Sequence, residues 1–134
     1  MIMNTGDKYE AYDTVTEKNV ASAVGSGLLP VYSTPYLVAL METAASDYMA
    51  KELPEGKGSV GVHIEVDHLS ATPIGMKVKA IAEVTKISEN GKSVDFKIEA
   101  YDEAGLIGKG MHTRAVITND RFLKKCLSKL DKQA

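Results

Sequence analysis

The sequence has no tryptophan and only two phenylalanines, so its interior must be assembled from aliphatic side chains. A single cysteine, Cys126, excludes an internal disulfide, and the three histidines are too scattered to supply a zinc spacing. No metal and no cofactor are expected, and a reducing cytoplasm suits the lone thiol. Charge of one sign is also missing. The 16 Lys and Arg against 18 Asp and Glu leave a formal net charge of -2, which gives no field to draw a polyanion. No stretch interleaves aromatics with Lys or Arg as single-strand binders do, so nucleic acid is not expected as a partner. No apolar run approaches the length of a membrane span, and MIMNTGDKYEAY at the start has neither the basic nor the apolar part of an export signal. No membrane association is expected. What remains is an ordinary globular composition in 134 residues, enough for one domain over 1–134 to close one core without staples.

The order of elements can be read from periodicity. Residues from Tyr9 to Thr16 favour an extended chain, and TEKNVASAVGSG ends in glycine and serine that punctuate a loop or short helix. At Ser33-Thr34-Pro35 a threonine able to cap precedes a proline suited to the first helical position. Leu37, Leu40, Met41, Ala44, Ala45, Tyr48 and Met49 then recur at three and four, which predicts one long, deeply packed helix ending near Leu53-Pro54-Glu55-Gly56. Val60, Val62, Ile64 and Val66 alternate with polar residues and predict a strand with one apolar face. Met76 to Val84, Val94 to Ala100 and Ile107 to Ile117 continue as strands, with Asn90-Gly91 and Asp102-Glu103-Ala104-Gly105 as turns. From Asp120, Phe122, Leu123, Cys126, Leu127 and Leu130 fall on one stripe of a short surface helix. The pattern is α+β, and the simplest way to bury so apolar a helix is to curl the sheet around it, the hot-dog fold. Such a sheet leaves a bare strand edge, which predicts a homodimer.

A few residues break the pattern. Glu42 falls at the border of the helix's apolar arc, where a carboxylate either packs its stem and reaches water or serves as base or nucleophile. His68 continues the register of Val60 to Val66, so it faces inward as a hydrogen-bonded structural residue or as a catalyst. Thr34 stands where the helix begins, a place for a cap and also for polarising a carbonyl. His112 and Arg114 share a face of the last strand with Gly108 and Gly110, small residues that permit close approach; for Arg114 alone a surface salt bridge is the simpler reading. His63, Glu65 and Asp67 read as a solvated strand face, and no second ligand cluster makes them a metal site.

Three segments, VYSTPYLVALME from Val31 to Glu42, GSVGVHIEVDHLSATPIG from Gly58 to Gly75, and IGKGMHTRAV from Ile107 to Val116, resemble the fluoroacetyl-CoA thioesterase-like family over nearly the whole chain. The resemblance implies hydrolysis of an acyl-CoA thioester, with Thr34, Glu42 and His68 at the family's catalytic positions. It also implies that Gly61 helps hold the thioester carbonyl and that Arg114, on the family's H-x-R segment, binds substrate. The member specialised for the fluorinated substrate has a phenylalanine-bearing lid where this chain has ASAVGSGLLPVY, so a different short acyl-CoA is the expected substrate. A module that binds acyl-CoA without turnover is the alternative reading, and thioester hydration a third.

Overall fold

The computed structural model describes residues 3–132. In chain order it has β1 (Lys8–Thr14), a short α1 (Ala21–Val24), α2 (Thr34–Glu52), β2 (Lys57–His68), β3 (Lys77–Ile87), β4 (Ser93–Asp102), β5 (Gly105–Thr118) and α3 (Asn119–Leu127), followed by a 3-10 turn over Ser128–Lys132. The strands form one five-stranded sheet in the order β1-β3-β4-β5-β2, antiparallel throughout, with β1 and β2 at its edges. Helix α2 lies across one face of this sheet, so the fold is the hot-dog arrangement expected from the sequence.

Local chemistry explains where α2 starts and stops. The Ser33 side chain accepts a hydrogen bond from the Tyr36 amide at 3.2 Å, satisfying one of the free donors of the first turn. Ser33, not Thr34, is therefore the cap. Pro35 sits in that first turn, where a missing N–H costs no helical bond. Leu53 turns extended and Pro54 prevents continuation. Between these ends, Leu37, Leu40, Met41, Ala44, Ala45, Tyr48 and Met49 are all buried, as their spacing predicts. They meet Val78, Ala80, Ala82 and Val84 of β3 and Val94, Phe96, Ile98 and Ala100 of β4 in one continuous core. With no indole available, Phe96 is the largest apolar anchor of the sheet and packs edge-on against Tyr48, with ring centroids 6.0 Å apart.

Strand β2 departs from the simple alternation. Its register with β5 shifts between Gly61 and His63, with Gly61 opposite Arg114 and His63 opposite Thr113, so Val62 is the extra residue of a β-bulge. Before the bulge the odd-numbered Ser59 and Gly61 face the helix; beyond it Ile64, Val66 and His68 do. The expected single apolar face from Val60 to Val66 is thus corrected: Val60 falls on the other face, and Val62 is 60% exposed. His68 is nonetheless directed inward, because the bulge lies ahead of it.

The Asn90-Gly91 hairpin forms with a wider loop than a two-residue turn. Ser88 N–H donates to the Ser93 carbonyl at 2.9 Å, and the Asn90 side chain accepts from the Lys92 amide at 3.0 Å. Gly91 alone takes a left-handed φ of +72°. Along α3 the apolar stripe predicted from sequence is present on the surface, with Phe122, Leu123, Leu127 and Leu130 all exposed.

These placements separate two substitutions of similar appearance in the sequence. Phe96→Ala is expected to cost about 3–5 kcal/mol, whereas Val62→Ala is expected to stay within about 0.5 kcal/mol. Chemical denaturation at one fixed protein concentration measures both; comparable losses contradict the position of the bulge.

Candidate active site

The start of α2 and the end of β2 meet at Thr34 and His68. Because Ser33 performs the capping, the Thr34 hydroxyl is free for another partner, and it lies 2.7 Å from Nδ1 of His68. The second ring nitrogen, Nε2, is buried and has no hydrogen-bond partner. A buried polar atom without a partner is rare and calls for an explanation. Burial is the main cause that lowers the pKa of His68 below its ordinary value, opposed by the Ser70 backbone, so the neutral imidazole is favoured. A cleft beside the pair is lined by Ala21, Ser26, Val31 and Tyr32. Those residues bracket the ASAVGSGLLPVY segment, which therefore stands next to the Thr34–His68 pair. Tyr32 anchors it: its ring is buried and its hydroxyl donates to Asp13 at 2.9 Å.

Glu42 stands elsewhere. It is eight positions beyond Thr34 on α2, which places it about 12 Å further along the helix axis. Its carboxylate is 4.0 Å from the Arg114 guanidinium, in a cleft with Ala39, Thr43 and Asp47. The Glu42 side chain is 41% exposed while that of Arg114 is only 8% exposed, so the arginine is the buried partner. This corrects the reading of Arg114 as a surface ion-pair residue. Its Nε donates to the Ser59 hydroxyl at 2.9 Å and Nη2 to the Ser59 carbonyl at 3.1 Å. Its Nη1 donates to Nε2 of His112 at 3.1 Å.

The hydrogen bonds of His112 fix its tautomer. Nδ1 is 2.7 Å from the His63 carbonyl, which can only accept, so Nδ1 carries the proton and Nε2 offers its lone pair to Arg114. Burial is the largest cause lowering the His112 pKa, and the Arg114 charge adds to it. The ring is a neutral prop for the guanidinium. Sequence reading placed His112 on the correct face but assigned it no task; an H-x-R pair at strand spacing beside glycines was the available signal.

Gly61 completes this group. A Cβ there would lie 3.0 Å from the His112 ring and 3.1 Å from a Glu42 carboxylate oxygen, so any larger residue would crowd both side chains and they would have to give by a few tenths of an ångström. Gly108 and Gly110 serve packing. A Cβ on Gly108 would meet Leu37 of α2 at 2.9 Å, and one on Gly110 would collide with the Glu65 carbonyl. On the outer face His63 and Glu65 pair at 3.3 Å. Among the described residues no three of His, Cys, Asp and Glu gather as a metal-holding group, and no helix is long and apolar enough to cross a membrane.

In one chain, then, the sequence-selected residues form two groups, Thr34 with His68 and Glu42 with Gly61 and Arg114. The model of the fluoroacetyl-CoA-specific thioesterase family matches residues 15–120, a span containing both. The chain belongs to that family. Among its relatives is the fluoroacetyl-CoA thioesterase of Streptantibioticus cattleyicolor, 38% identical over 99 residues, covering 74% of this chain and 70% of the relative. The solved structure of the fluoroacetyl-CoA thioesterase FlK superimposes with a TM-score of 0.89 at 30% identity, covering 96% of this chain and 98% of that one. A FlK variant in complex with fluoroacetate and CoA gives 0.83 at 31% identity, over 90% and 99% of the two chains. A thioesterase superfamily member from Thermus thermophilus gives 0.85 at 26% identity, over 97% of each chain.

The half-buried His68 and the buried His112 of this family member make its stability depend on pH. Both have pKa values below the ordinary 6.5 in the folded state, so the unfolded chain binds more protons between those values. Their contribution is complete above about pH 6.5 and is lost as pH falls through the native pKa values. Thermal unfolding from pH 8 to 5 is expected to show Tm falling more steeply for wild type than for His68→Asn. A difference in Tm that stays constant across the range contradicts it.

Proposed function

We propose that this family member, an acyl-CoA thioesterase, cleaves a short acyl-CoA with Thr34, Glu42 and His68 in a site completed between two copies of the chain. The observation that carries the reading is the Thr34–His68 pair, with a neutral imidazole whose buried Nε2 has nothing to bond. Two features support a shared site. Thr34 and Glu42 are too far apart along α2 to act on one carbonyl from the same helix, and β2 presents an unpaired edge with Val62 exposed. An isologous dimer would bring the Thr34–His68 end of one copy to the Glu42 region of the other.

In this reading the thioester carbonyl lies by the first turn of α2, where unpaired amides and the helix dipole favour a developing oxyanion. The Gly61 backbone approaches it from the β2 side. Glu42 either attacks the carbonyl to form a mixed anhydride or takes a proton from the attacking water. In the first route the C–S bond breaks as the anhydride forms, and water, giving a proton to neutral His68, then cleaves the anhydride and frees the Glu42 carboxylate; in the second, the water oxygen bonds to the carbonyl carbon as the C–S bond breaks. In both the sulfur leaves as thiolate and receives the proton removed from water, by way of His68 or Glu42, so the balance is thioester plus water to acid plus thiol. Thr34 holds the imidazole in place, and Arg114, braced by His112 and Ser59, holds the Glu42 carboxylate.

The segment over 21–32 has no phenylalanine and leaves Leu28 and Leu29 exposed, which supports a short acyl group other than fluoroacetyl. A reducing cytoplasm stays part of the reading, supported by one exposed, unpaired thiol at Cys126.

Thiol release from a panel of acyl-CoAs tests the chemistry. Glu42→Ala and His68→Ala are each expected to lower kcat by about a hundred- to ten-thousandfold; binding without release assigns the alternative, a non-catalytic acyl-CoA module. Mixing the two inactive variants tests the shared site, because a mixed dimer regains one intact centre. Recovery toward roughly a quarter of wild-type activity is expected for random pairing in a two-fold dimer, and no recovery means that each chain holds a whole site.

A further inference from the structure

Thr34 and His68 stand on two arms of backbone that are held in different ways. The His68 arm is tied to β5, because the Leu69 and Ser70 amides both donate to the Ile107 carbonyl, at 2.7 and 3.2 Å. The Thr34 arm lies outside the sheet and is joined to its surroundings at Tyr32, two residues earlier. The Tyr32 amide donates at 2.9 Å to the carbonyl of Thr72, four residues beyond His68, so the two arms meet there. Thr72 is itself buried, and its hydroxyl donates to Asp102 at 2.7 Å. Tyr32, Thr34, His68 and Thr72 thus close a ring whose last link is the 2.7 Å contact between the Thr34 hydroxyl and Nδ1 of His68.

What fixes Tyr32 is a carboxylate that the chemistry above leaves idle. Tyr32 is 1% exposed, and its hydroxyl donates at 2.9 Å to Asp13, near the end of β1. The Tyr36 carbonyl, in the first turn of α2, is a second acceptor at 3.3 Å. Burial first, and then the hydrogen bond to Asp13, push the Tyr32 phenol above its ordinary pKa, so the hydroxyl stays a donor. The same Asp13 oxygen accepts from the Asn19 side chain at 3.3 Å, and the Asn19 carbonyl accepts from the Ser33 amide at 3.0 Å. Among the described residues no cation lies within 4.0 Å of Asp13. A half-buried carboxylate without an ion pair depends on its hydrogen bonds, and those of Asp13 converge on the two residues just ahead of Thr34. Bonds to an ionised acceptor are also the stronger kind.

We infer that Tyr32, latched by Asp13, is a positioning residue: it acts through Thr34, holding that hydroxyl against His68 and so setting the direction of the imidazole. The Tyr32 hydroxyl, turned to β1, takes no part in the chemistry itself. The inference deepens the proposed function and rests on it for the task of His68.

A double-mutant cycle tests it, with thiol release from an acyl-CoA measured well below the unfolding temperature. Tyr32→Phe keeps the buried ring and loses only the hydroxyl. It is expected to lower kcat on the order of tenfold with KM within about twofold, and Asp13→Ala should match it. Asp13→Asn, which keeps an acceptor for the phenol, should recover most of that loss. In a Thr34→Ala background Tyr32→Phe should change kcat by less than about twofold, because the residue through which the latch acts is gone. A merely structural role gives the same loss in both backgrounds, and that outcome overturns the inference, as does an unchanged kcat in Tyr32→Phe alone. NMR of the His68 ring nitrogens decides the latch without turnover. Tyr32→Phe should move these signals toward those of Thr34→Ala, and signals that stay at their wild-type positions overturn it. If they move while Thr34→Ala keeps full kcat, the latch stands and the role given to Thr34 in the proposed chemistry falls.

Discussion

The constraint on which the molecule depends is the burial of α2. Leu37, Leu40, Met41 and Met49 are almost or wholly removed from water, and each such side chain contributes roughly 1.5–3 kcal/mol when fully buried. A helix this apolar needs cover along its whole length, and the sheet supplies it with small and aliphatic residues that allow close approach. Gly108 is the clearest case, since Leu37 occupies the space its side chain would fill. Once α2 is pinned in this way, its polar exceptions have no freedom of placement: Thr34 must stand at the helix start against His68, and Glu42 must emerge at the rim of the contact against Arg114.

The polar residues are held by a separate economy of hydrogen bonds. A buried guanidinium is costly unless its donors are satisfied, and Arg114 spreads its own over the Ser59 hydroxyl, the Ser59 carbonyl and the His112 ring. The His112 ring can accept only because the His63 carbonyl fixes its proton on the other nitrogen. The residue that touches Glu42 is therefore oriented from behind by groups that do not touch it. His68 differs in that one nitrogen has a partner and the other has none, which separates a brace from a group kept available.

Much of this was legible in the sequence because it rests on strong periodic signals. The α2 spacing identified every buried residue of that helix, and the alternation in β3 and β4 identified the core face of the sheet. The α+β class and element order followed from them. The site was readable as residue types, with Glu42, His68 and Thr34 standing out as breaks in pattern, but not as geometry. Ser33 and Thr34 are adjacent hydroxyls, and only the backbone decides which one caps. The burial of Arg114 depends on Ser59 and His63 from another strand, and no local pattern carries such a partner. The bulge at Val62 was invisible for the same reason: valines on both sides of it keep the apparent alternation intact while the backbone shifts beneath.

That bulge acts as a phase correction. Strand side chains alternate with a period of two, so one inserted residue exchanges odd for even, and Gly61 and His68, whose positions differ by an odd number, come to point the same way. An unbroken strand could present the glycine or the imidazole to the helix, never both. Deleting Val62 would remove the insertion and leave the two still on one face, whereas straightening β2 with Val62 kept would turn one of them to solvent.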